Sequence, residues 1–216
     1  MLITFAHLIA ALQAYIIGGV NGAIITSKYL YRRDIREHGS GNPGLTNFYR
    51  VFGKRGVLLM MVIDVAKTLA PVLIGGWLFS IPALTGTALS YTAIFGRIYS
   101  GFFVMLGHCF PVLYKFRGGK AVLAAGVLLF SIDWRVSIIG WGMFLLVLLT
   151  TRYVSLAAII GVWGYPIALA IFKIGGAPEL ALASMSALLL VIRHSGNIQR
   201  LIKRSEPKFS IKKKGE

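Results

Sequence analysis

The residue types best suited to binding a phosphate gather in a glycine-rich segment between the first two apolar stretches. It reads Gly39-Ser40-Gly41-Asn42-Pro43-Gly44-Leu45-Thr46-Asn47-Phe48-Tyr49-Arg50. Glycines let a backbone turn tightly and bring amide N–H groups close to an anion, and a guanidinium matches the shape of a phosphate. A plain connecting loop is the alternative interpretation. We predict that six residues here bind substrate: Ser40, Gly41, Asn42, Thr46, Asn47 and Arg50.

A second segment overlaps the end of the third apolar stretch. It reads Gly107-His108-Cys109-Phe110-Pro111 and then Lys115-Phe116-Arg117-Gly118-Gly119-Lys120. Lys120 begins an uncharged apolar stretch, where the positive end of a helix dipole disfavours a cation. An anion held between Lys120, Arg117 and the free amides of the helix start would remove this conflict. We therefore predict Lys120 as a catalytic residue and the following as substrate-binding residues: His108, Arg117, Gly118 and Gly119.

The third segment follows the last apolar stretch and reads Arg193-His194-Ser195-Gly196-Asn197-Ile198-Gln199-Arg200. On a helix, His194 and Asn197 would share a face, and we predict both as catalytic residues. A structural hydrogen-bonding role is the alternative for His194. Ser155, shortly after Arg152, adds a hydroxyl to the predicted substrate site.

Asp64 and Lys67 lie three residues apart inside the second apolar stretch. Ionisable residues at such a depth are costly, which favours a functional role. A mutual ion pair that orients the helix without doing chemistry is the equal alternative. The chain has only seven carboxylates and one cysteine, with no spacing typical of a divalent-metal or zinc site. The sequence therefore predicts neither a metal nor a cofactor.

The elements that must position these residues are helices in a membrane. Of the 216 residues 56% are hydrophobic and only 14% are charged, and the mean hydropathy is +0.74. This composition and the long apolar runs predict an all-α, polytopic integral membrane bundle with about seven transmembrane helices. The fourth stretch is too short to cross a bilayer straight, and the third is long enough to be kinked or split at its glycines. The seven stretches are Leu2–Ile25, Gly56–Phe79, Leu84–Leu113, Ala121–Ile132, Val136–Thr150, Val154–Phe172 and Ala177–Ile192.

The charges predict how the chain is oriented. A net charge of +16 fits either nucleic acid or a membrane surface, and the apolar runs favour the lipid bilayer and exclude nucleic acid as the partner. Of the 23 Lys and Arg residues, 19 fall in the connections on one side, which are 27–55, 114–120, 151–153 and 193–216. The positive-inside rule makes this side cytoplasmic, with the N-terminus outside and the C-terminus cytoplasmic. We predict a transmembrane domain over residues 1–202 and a solvated basic tail over 203–216. The sequence carries no signal of an oligomeric state.

Taken in order, the three segments resemble the signatures of the acyl-phosphate:glycerol-3-phosphate acyltransferases of bacterial membranes, the PlsY family. The resemblance rests on Gly39–Gly44 with Thr46, Asn47 and Arg50, on Gly107–Pro111 with Phe116–Lys120, and on His194 with Asn197–Ile198 and Arg200–Leu201. Arg152–Leu156 and the Asp64/Lys67 pair extend it over nearly the whole chain. Three departures stand out: Ala121 and Ala124 replace the usual glycine and threonine, and Gly19-Val20-Asn21 replaces Ser-x-Pro.

The resemblance implies an enzyme that moves a fatty acyl group from acyl phosphate to sn-glycerol 3-phosphate. The products would be lysophosphatidic acid and phosphate, an early step of phospholipid biosynthesis, and no metal or cofactor would be needed. It implies a bacterial cell (inner) membrane, with the active site facing the cytoplasm. A transporter of an organic phosphate or other anion, and a catalytically diverged lipid-binding paralogue, are the alternatives.

Within this chemistry the predicted roles are specific. Glycerol 3-phosphate would be held by Arg50, Lys120, His194 and Asn197, helped by Ser40 and Ser155. The departing phosphate would be bound by Arg117 and by the Gly118 and Gly119 amides. His108 and His194 are two candidates for the proton acceptor, and the resemblance adds an oxygen of the acyl phosphate itself as a third.

Overall fold

The computed structural model describes residues 4–85 and 92–209, and within these ranges the regular structure is helical throughout. The α-helices are α1 (Phe5–Gly18), α2 (Gly22–Tyr31), α3 (Leu45–Phe52), α4 (Val57–Phe79), α5 (Pro82–Thr85), α6 (Ala93–Cys109), α7 (Val122–Ile132), α8 (Trp134–Thr151), α9 (Val154–Gly161), α10 (Gly164–Phe172), α11 (Ala177–Arg193) and α12 (Ser195–Ile202). Two short 3-10 helices, Ile35–Glu37 and Val112–Tyr114, lie in the connections.

Five helical segments are long and apolar enough to cross a membrane: Phe5–Tyr31, Val57–Phe79, Ala93–Tyr114, Trp134–Thr151 and Val154–Phe172. A sixth is obtained when α11 and α12, bent by 58° relative to each other, are counted together. Helix α7 has 11 residues and rises only about 17 Å, roughly half of a hydrocarbon core of about 30 Å. The all-α membrane bundle is confirmed, whereas the count of seven, which includes α7, stays a prediction.

Helix α6 lies in the middle of the bundle and packs against α1, α4, α7 and α11. Helix α8 lies at the periphery, where Leu146 and Leu149 are 65% and 78% exposed. Outward-facing leucines are the expected surface of a helix that contacts lipid. Helix α6 is therefore at the centre of the bundle and α8 at its edge.

Close helix packing depends on small residues. A Cβ built at Gly18 would lie 2.6 Å from the Val104 carbonyl oxygen, and one at Gly22 would overlap the carbonyl oxygen of Met60. Glycines at such crossings let two helix backbones approach closely. Gly18 and Gly22 are therefore positions at which helices pack closely.

The first apolar stretch, which the sequence predicted as a single span over Leu2–Ile25, contains a break between two helices in its described part. Helix α1 ends at Gly18, and α2 begins at Gly22 and continues to Tyr31. Asn21 causes the restart, because its Oδ1 accepts a hydrogen bond from the Ile24 amide at 2.9 Å and so caps α2. Its Nδ2 donates to the Pro43 carbonyl at 3.1 Å, which ties the break to the glycine-rich segment.

The third apolar stretch divides ahead of Ala93. Helix α5 ends at Thr85 and α6 begins at Ala93, while residues 86–91, including Gly86, lie outside the described ranges. Gly96 and Gly101 lie within the single helix α6 and pack against Gly75 and Leu128. They serve as contact points between helices instead of dividing the stretch.

Candidate functional site

Lys120 and Asn197 are in direct contact, although they come from different segments. The ammonium of Lys120, two residues before the start of α7, donates to Asn197 Oδ1 in the first turn of α12. Burial lowers the pKa of Lys120 to about 8, and the nearby Arg200 cation adds to the effect. Lys120 is therefore still mainly cationic at neutral pH. The second and third segments are therefore in contact, as the sequence predicted.

Glu206 joins Ser155 to the same group. Its Oε1 accepts hydrogen bonds from Ser155 Oγ at 2.7 Å and from Asn197 Nδ2 at 2.6 Å, and its Oε2 pairs with Arg200 Nε at 2.7 Å. Burial raises the pKa of Glu206, but the three hydrogen bonds outweigh it and bring the pKa below its usual range. An ionised carboxylate is thus held where donors from α9 and α12 converge.

Sequence reasoning missed Glu206, and it named Arg200 as part of the third segment without predicting it as a site residue. We expected residues 203–216 to form only a solvated basic tail, whereas the chain returns to the bundle and the Phe209 amide donates to the Arg152 carbonyl at 2.7 Å. Residues 210–216 lie outside the described part of the chain. The available signal was that Glu206 is the lone carboxylate between Glu179 and Glu216, in a segment rich in cations.

His194 lies at the bend between α11 and α12. Its ring Nδ1 is 2.8 Å from the Leu190 carbonyl oxygen, and the side chain is buried. The bend of 58° turns α12 across the end of the bundle, which brings Asn197 to Lys120. The sequence placed His194 and Asn197 on a common helix face, and the structure instead puts His194 just before the helix that carries Asn197.

The Gly118–Gly119 pair is clamped from two directions. The Gly119 amide donates to the His108 carbonyl at 3.1 Å, and the Arg193 guanidinium donates to the carbonyl oxygens of Gly119 at 3.1 Å and Gly118 at 3.2 Å. Arg193 also stacks over the Phe110 ring, 5.0 Å from its centroid. The Gly119 amide therefore has a protein partner, and its predicted contact with phosphate would require that bond to open. Arg193 is a positioning residue that sequence reasoning did not single out, although it precedes His194 directly.

Neither glycine can carry a side chain. A Cβ at Gly118 would overlap the His108 carbonyl oxygen and lie 2.6 Å from Pro111 Cδ. A Cβ at Gly119 would overlap Nε2 of the His108 ring. The pair is therefore packed directly against His108, and its glycines are required by space.

Asp64 and Lys67 form a buried ion pair that also reaches His108. Lys67 Nζ lies 2.9 Å from Asp64 Oδ1 and 2.8 Å from His108 Nδ1, and it donates to the Val20 carbonyl. Asp64 Oδ1 accepts a further hydrogen bond from the amide of Gly22, the first residue of α2, at 3.0 Å. The ion pair between Asp64 and Lys67, one of the two alternatives that the sequence left open, is present. Through Gly22 and Val20 on one side and His108 on the other, it connects the break between α1 and α2 to the second segment.

The first segment is shaped by its own asparagine. Asn47 Oδ1 accepts a hydrogen bond from the Ser40 amide at 2.9 Å, and Asn47 Nδ2 donates to the His38 carbonyl at 3.0 Å. The Asn47 side chain is buried and fixes the shape of the loop. Arg36 lies over the Tyr114 ring, 5.5 Å from its centroid, which places this loop at the same end of the bundle as the second segment.

Several predicted ligands point outward. Arg50 and Arg117 are exposed, and no hydrogen bond or ion pair joins either guanidinium to another group within residues 4–85 and 92–209. The same holds, over those ranges, for the side-chain donors of Ser40, Asn42 and Thr46. Gly41 has a positive φ of 71°, which suits glycine in a tight turn. The substrate contacts of these residues stay predictions.

A bundle of long apolar helices with Lys120, Arg193 and Arg200 close together at one end has the architecture of an integral membrane protein. A family model described as glycerol-3-phosphate acyltransferase matches residues 8–204. The chain therefore belongs to the glycerol-3-phosphate acyltransferase family.

Relatives of known name agree with this assignment. A glycerol-3-phosphate acyltransferase of Bacillus cytotoxicus is 36% identical over 218 residues, covering 99% of each chain. Another, from Macrococcus caseolyticus, is 33% identical over 205 residues, covering 94% of this chain and 96% of its own. Two crystal structures of PlsY, an integral membrane glycerol 3-phosphate acyltransferase, have TM-scores of 0.80 and 0.79 at 29% and 28% identity. The first is a glycerol 3-phosphate form and the second a lysophosphatidic acid form. Each match covers 94% of this chain, and it covers 96% of the first PlsY chain and 95% of the second.

Proposed function

We propose that this chain transfers a fatty acyl group from acyl phosphate to sn-glycerol 3-phosphate, giving lysophosphatidic acid and inorganic phosphate. The observation that carries the proposal is the group formed by Lys120, Ser155, Asn197 and Arg200. Ser155, Asn197 and Arg200 hold the carboxylate of Glu206, and Lys120 donates to the side-chain oxygen of Asn197. Within residues 4–85 and 92–209 the Lys120 ammonium forms no ion pair, so this cation is available to a phosphate beside the donors that Glu206 holds in place.

In the reaction the primary hydroxyl oxygen of glycerol 3-phosphate attacks the acyl carbonyl carbon. The bond between this carbon and the bridging oxygen of the acyl phosphate breaks, and phosphate leaves with the bonding electrons while the hydroxyl proton passes to an acceptor. A mixed anhydride has a good leaving group, so the protein mainly has to position the substrates and stabilise charge. Lys120 and Arg200 are the cations for this task, and Asn197 orients Lys120.

Arg50, Arg117 and the hydroxyls of Ser40 and Thr46 complete the proposed site from the loops. Their side chains have no partner among the described residues, so they are available to a substrate that arrives at this end of the bundle. The two substrates carry phosphates, and exposed guanidinium groups at the rim attract such anions. We assign the first contact with glycerol 3-phosphate to these groups.

The acyl chain is proposed to lie against α7. A cavity of about 420 Å³ opens there, lined among others by Met61, Leu123, Val127, Phe130 and Trp141. One of its lining residues, Leu123, follows Lys120 by three residues in the chain. A lipid-soluble donor could therefore place its phosphate at the cationic end while its tail stays among apolar side chains.

We place the site on the cytoplasmic face of a bacterial cell membrane. The site lies at the end of the bundle whose connections hold 19 of the 23 basic residues, and the positive-inside rule assigns that end to the cytoplasm. The C-terminus is then cytoplasmic and the N-terminus outside. Glycerol 3-phosphate, a water-soluble anion, would reach the site from the cytoplasm.

The test is acyl transfer by purified protein in lipid vesicles. Palmitoyl phosphate and labelled glycerol 3-phosphate are supplied without coenzyme A, and we expect labelled lysophosphatidic acid and one equivalent of phosphate. Lys120→Ala serves as the inactive control. Uptake of label into the vesicles without acylation would contradict the proposal and favour a transporter, and binding without either would favour a diverged paralogue.

A further inference from the structure

The ring of His108 is held in one protonation pattern by Lys67. The Lys67 ammonium carries three hydrogens and faces three acceptors: the Asp64 carboxylate at 2.9 Å, the Val20 carbonyl, and His108 Nδ1 at 2.8 Å. An ammonium can only donate, so His108 Nδ1 must be the acceptor. The hydrogen of the neutral imidazole then lies on Nε2.

The Nε2 of His108 faces the glycine pair. A Cβ at Gly119 would overlap this atom, so the N–H lies directly beside the backbone that precedes Lys120. Within the described ranges, no protein group accepts a hydrogen bond from it. An N–H at this place, in a largely dehydrated setting, is suited to an anionic or carbonyl oxygen of a substrate.

His194 has the opposite arrangement. Its Nδ1 is 2.8 Å from the Leu190 carbonyl oxygen, which can only accept, so Nδ1 carries the hydrogen. In the neutral ring the lone pair is then on Nε2. The two histidines therefore differ at Nε2, which is a hydrogen-bond donor in His108 and an acceptor in His194.

We propose that Lys67 is a positioning residue that makes His108 a hydrogen-bond donor to a substrate oxygen at the glycine pair and prevents it from acting as the proton acceptor. Of the two histidines, only His194 then presents a ring nitrogen able to take the hydroxyl proton. This inference rests on the proposed function, because it assigns roles within the same acyl transfer. It also gives the Asp64/Lys67 pair a purpose, since Asp64 holds the ammonium that sets the His108 ring.

A matched pair of variants separates the donor role from a base or purely structural role. In His108→Gln the amide nitrogen can reach the position of the imidazole Nε2, whereas in His108→Asn the side chain reaches only the position of Nδ1. Both variants lack a titratable ring. We expect His108→Gln to keep kcat/KM within about tenfold of the wild type and His108→Asn to fall roughly 10- to 100-fold below His108→Gln. Equal loss in both variants would overturn the proposal.

A second measurement does not depend on activity. The ¹⁵N NMR spectrum of histidine-labelled protein in lipid nanodiscs distinguishes a protonated ring nitrogen from one with a lone pair, and His108→Gln assigns the His108 signals by their loss. We expect a protonated Nε2 for His108 and a protonated Nδ1 for His194 in the wild type at neutral pH. In the charge-neutral double variant Asp64→Asn/Lys67→Met, the His108 signals should become those of a tautomer mixture. A protonated Nδ1 at His108 in the wild type, or an unchanged pattern in the double variant, would contradict the role of Lys67.

The two proposals fail in distinguishable ways. If wild-type protein makes no lysophosphatidic acid but shows the expected nitrogen signals, the acyltransferase function is rejected while the Lys67–His108 arrangement stands. If it makes lysophosphatidic acid and the two His108 variants behave alike, the function stands and the donor role is rejected.

Discussion

The Lys120 ammonium donates a hydrogen bond to the side-chain oxygen of Asn197, which lies 77 residues further along the chain. This contact brings the segment before α7 to the first turn of α12. Asn197 uses its other side-chain atom to donate to Glu206, at 2.6 Å. The amide therefore sits between a cation and an anion, and its orientation is determined by both.

The first prediction concerns pH, because the ammonium of Lys120 is needed to bind phosphate. Burial lowers its pKa to about 8, so the cation is present below this pH and is lost as the pH rises through it. The KM for glycerol 3-phosphate should increase above pH 8, approaching about tenfold for each further pH unit. Steady-state kinetics from pH 6 to 10 measure this.

Lys120→Arg is the matched control for the pH prediction. A guanidinium stays charged throughout this range, so the variant should lose the rise in KM above pH 8, whatever its absolute activity. Lys115→Ala removes an exposed lysine near the same loop and should leave the profile unchanged. If the wild type and Lys120→Arg showed the same dependence of KM on pH, the rise in KM could not be assigned to Lys120.

The second prediction concerns the glycine pair. In Gly119→Ala the new methyl group overlaps the His108 ring and must displace it or the loop that leads to Lys120. A shift of about 1 Å at a reacting group can lower catalysis by roughly 100-fold, and we expect at least a tenfold fall in kcat/KM. Gly142→Ala in α8 is the control, since a Cβ there meets no atom within 4 Å and should leave activity intact. Wild-type kinetics for Gly119→Ala would show that the close packing of Gly119 against the His108 ring is not needed for catalysis.

The third prediction concerns Ala121, which stands where the family usually has a glycine. Ala121 has φ 59° and ψ 21°, in the left-handed region. Relief of that strain, about 1–2 kcal/mol, exceeds the entropy that a glycine adds to the unfolded chain, so Ala121→Gly should stabilise the protein by about 0.5–1 kcal/mol. Thermal unfolding in detergent measures the change. Ala124→Gly, inside α7, should instead destabilise by about 1 kcal/mol, and stabilisation by both would rule out backbone strain as the cause.

The fourth prediction concerns Glu206, which holds Ser155, Asn197 and Arg200 together. Glu206→Ala leaves three donors without this partner and should lower both the unfolding temperature and kcat/KM, with a stability cost of about 1–3 kcal/mol. Glu206→Gln keeps an oxygen for Ser155 and Asn197 and should lose less. Glu37→Ala removes an exposed carboxylate elsewhere on the surface and should have no such effect. A stable, fully active Glu206→Ala variant would remove the residue from the site.

Local patterns were sufficient to predict that Lys120, Asn197 and Ser155 come close together. Because the chain crosses the membrane repeatedly, every second connection lies at the same end of the bundle, so segments far apart in sequence can meet there. Glycines beside cations further indicated an anion site. These inferences use charge and hydropathy, which can be read without knowing how helices pack.

Other features depend on contacts that no local pattern determines. Asn47 was predicted to bind substrate, but its amide holds the loop, and an asparagine in a glycine-rich segment is suited to either task. Arg193 binds the carbonyl oxygens of Gly118 and Gly119 because long-range packing places the end of α11 beside them. The return of the tail that brings Glu206 into the site follows from the same long-range packing.

The central claim, that Lys120 and Asn197 act together to bind phosphate, is tested most directly by equilibrium binding of glycerol 3-phosphate. The dissociation constant is measured for the wild type, Lys120→Ala, Asn197→Ala and the double variant. If Asn197 acts by orienting Lys120, the double variant should bind about as weakly as Lys120→Ala, with a coupling energy of about 0.5–3 kcal/mol between the two positions. Additive losses, or wild-type affinity in Lys120→Ala, would contradict the account.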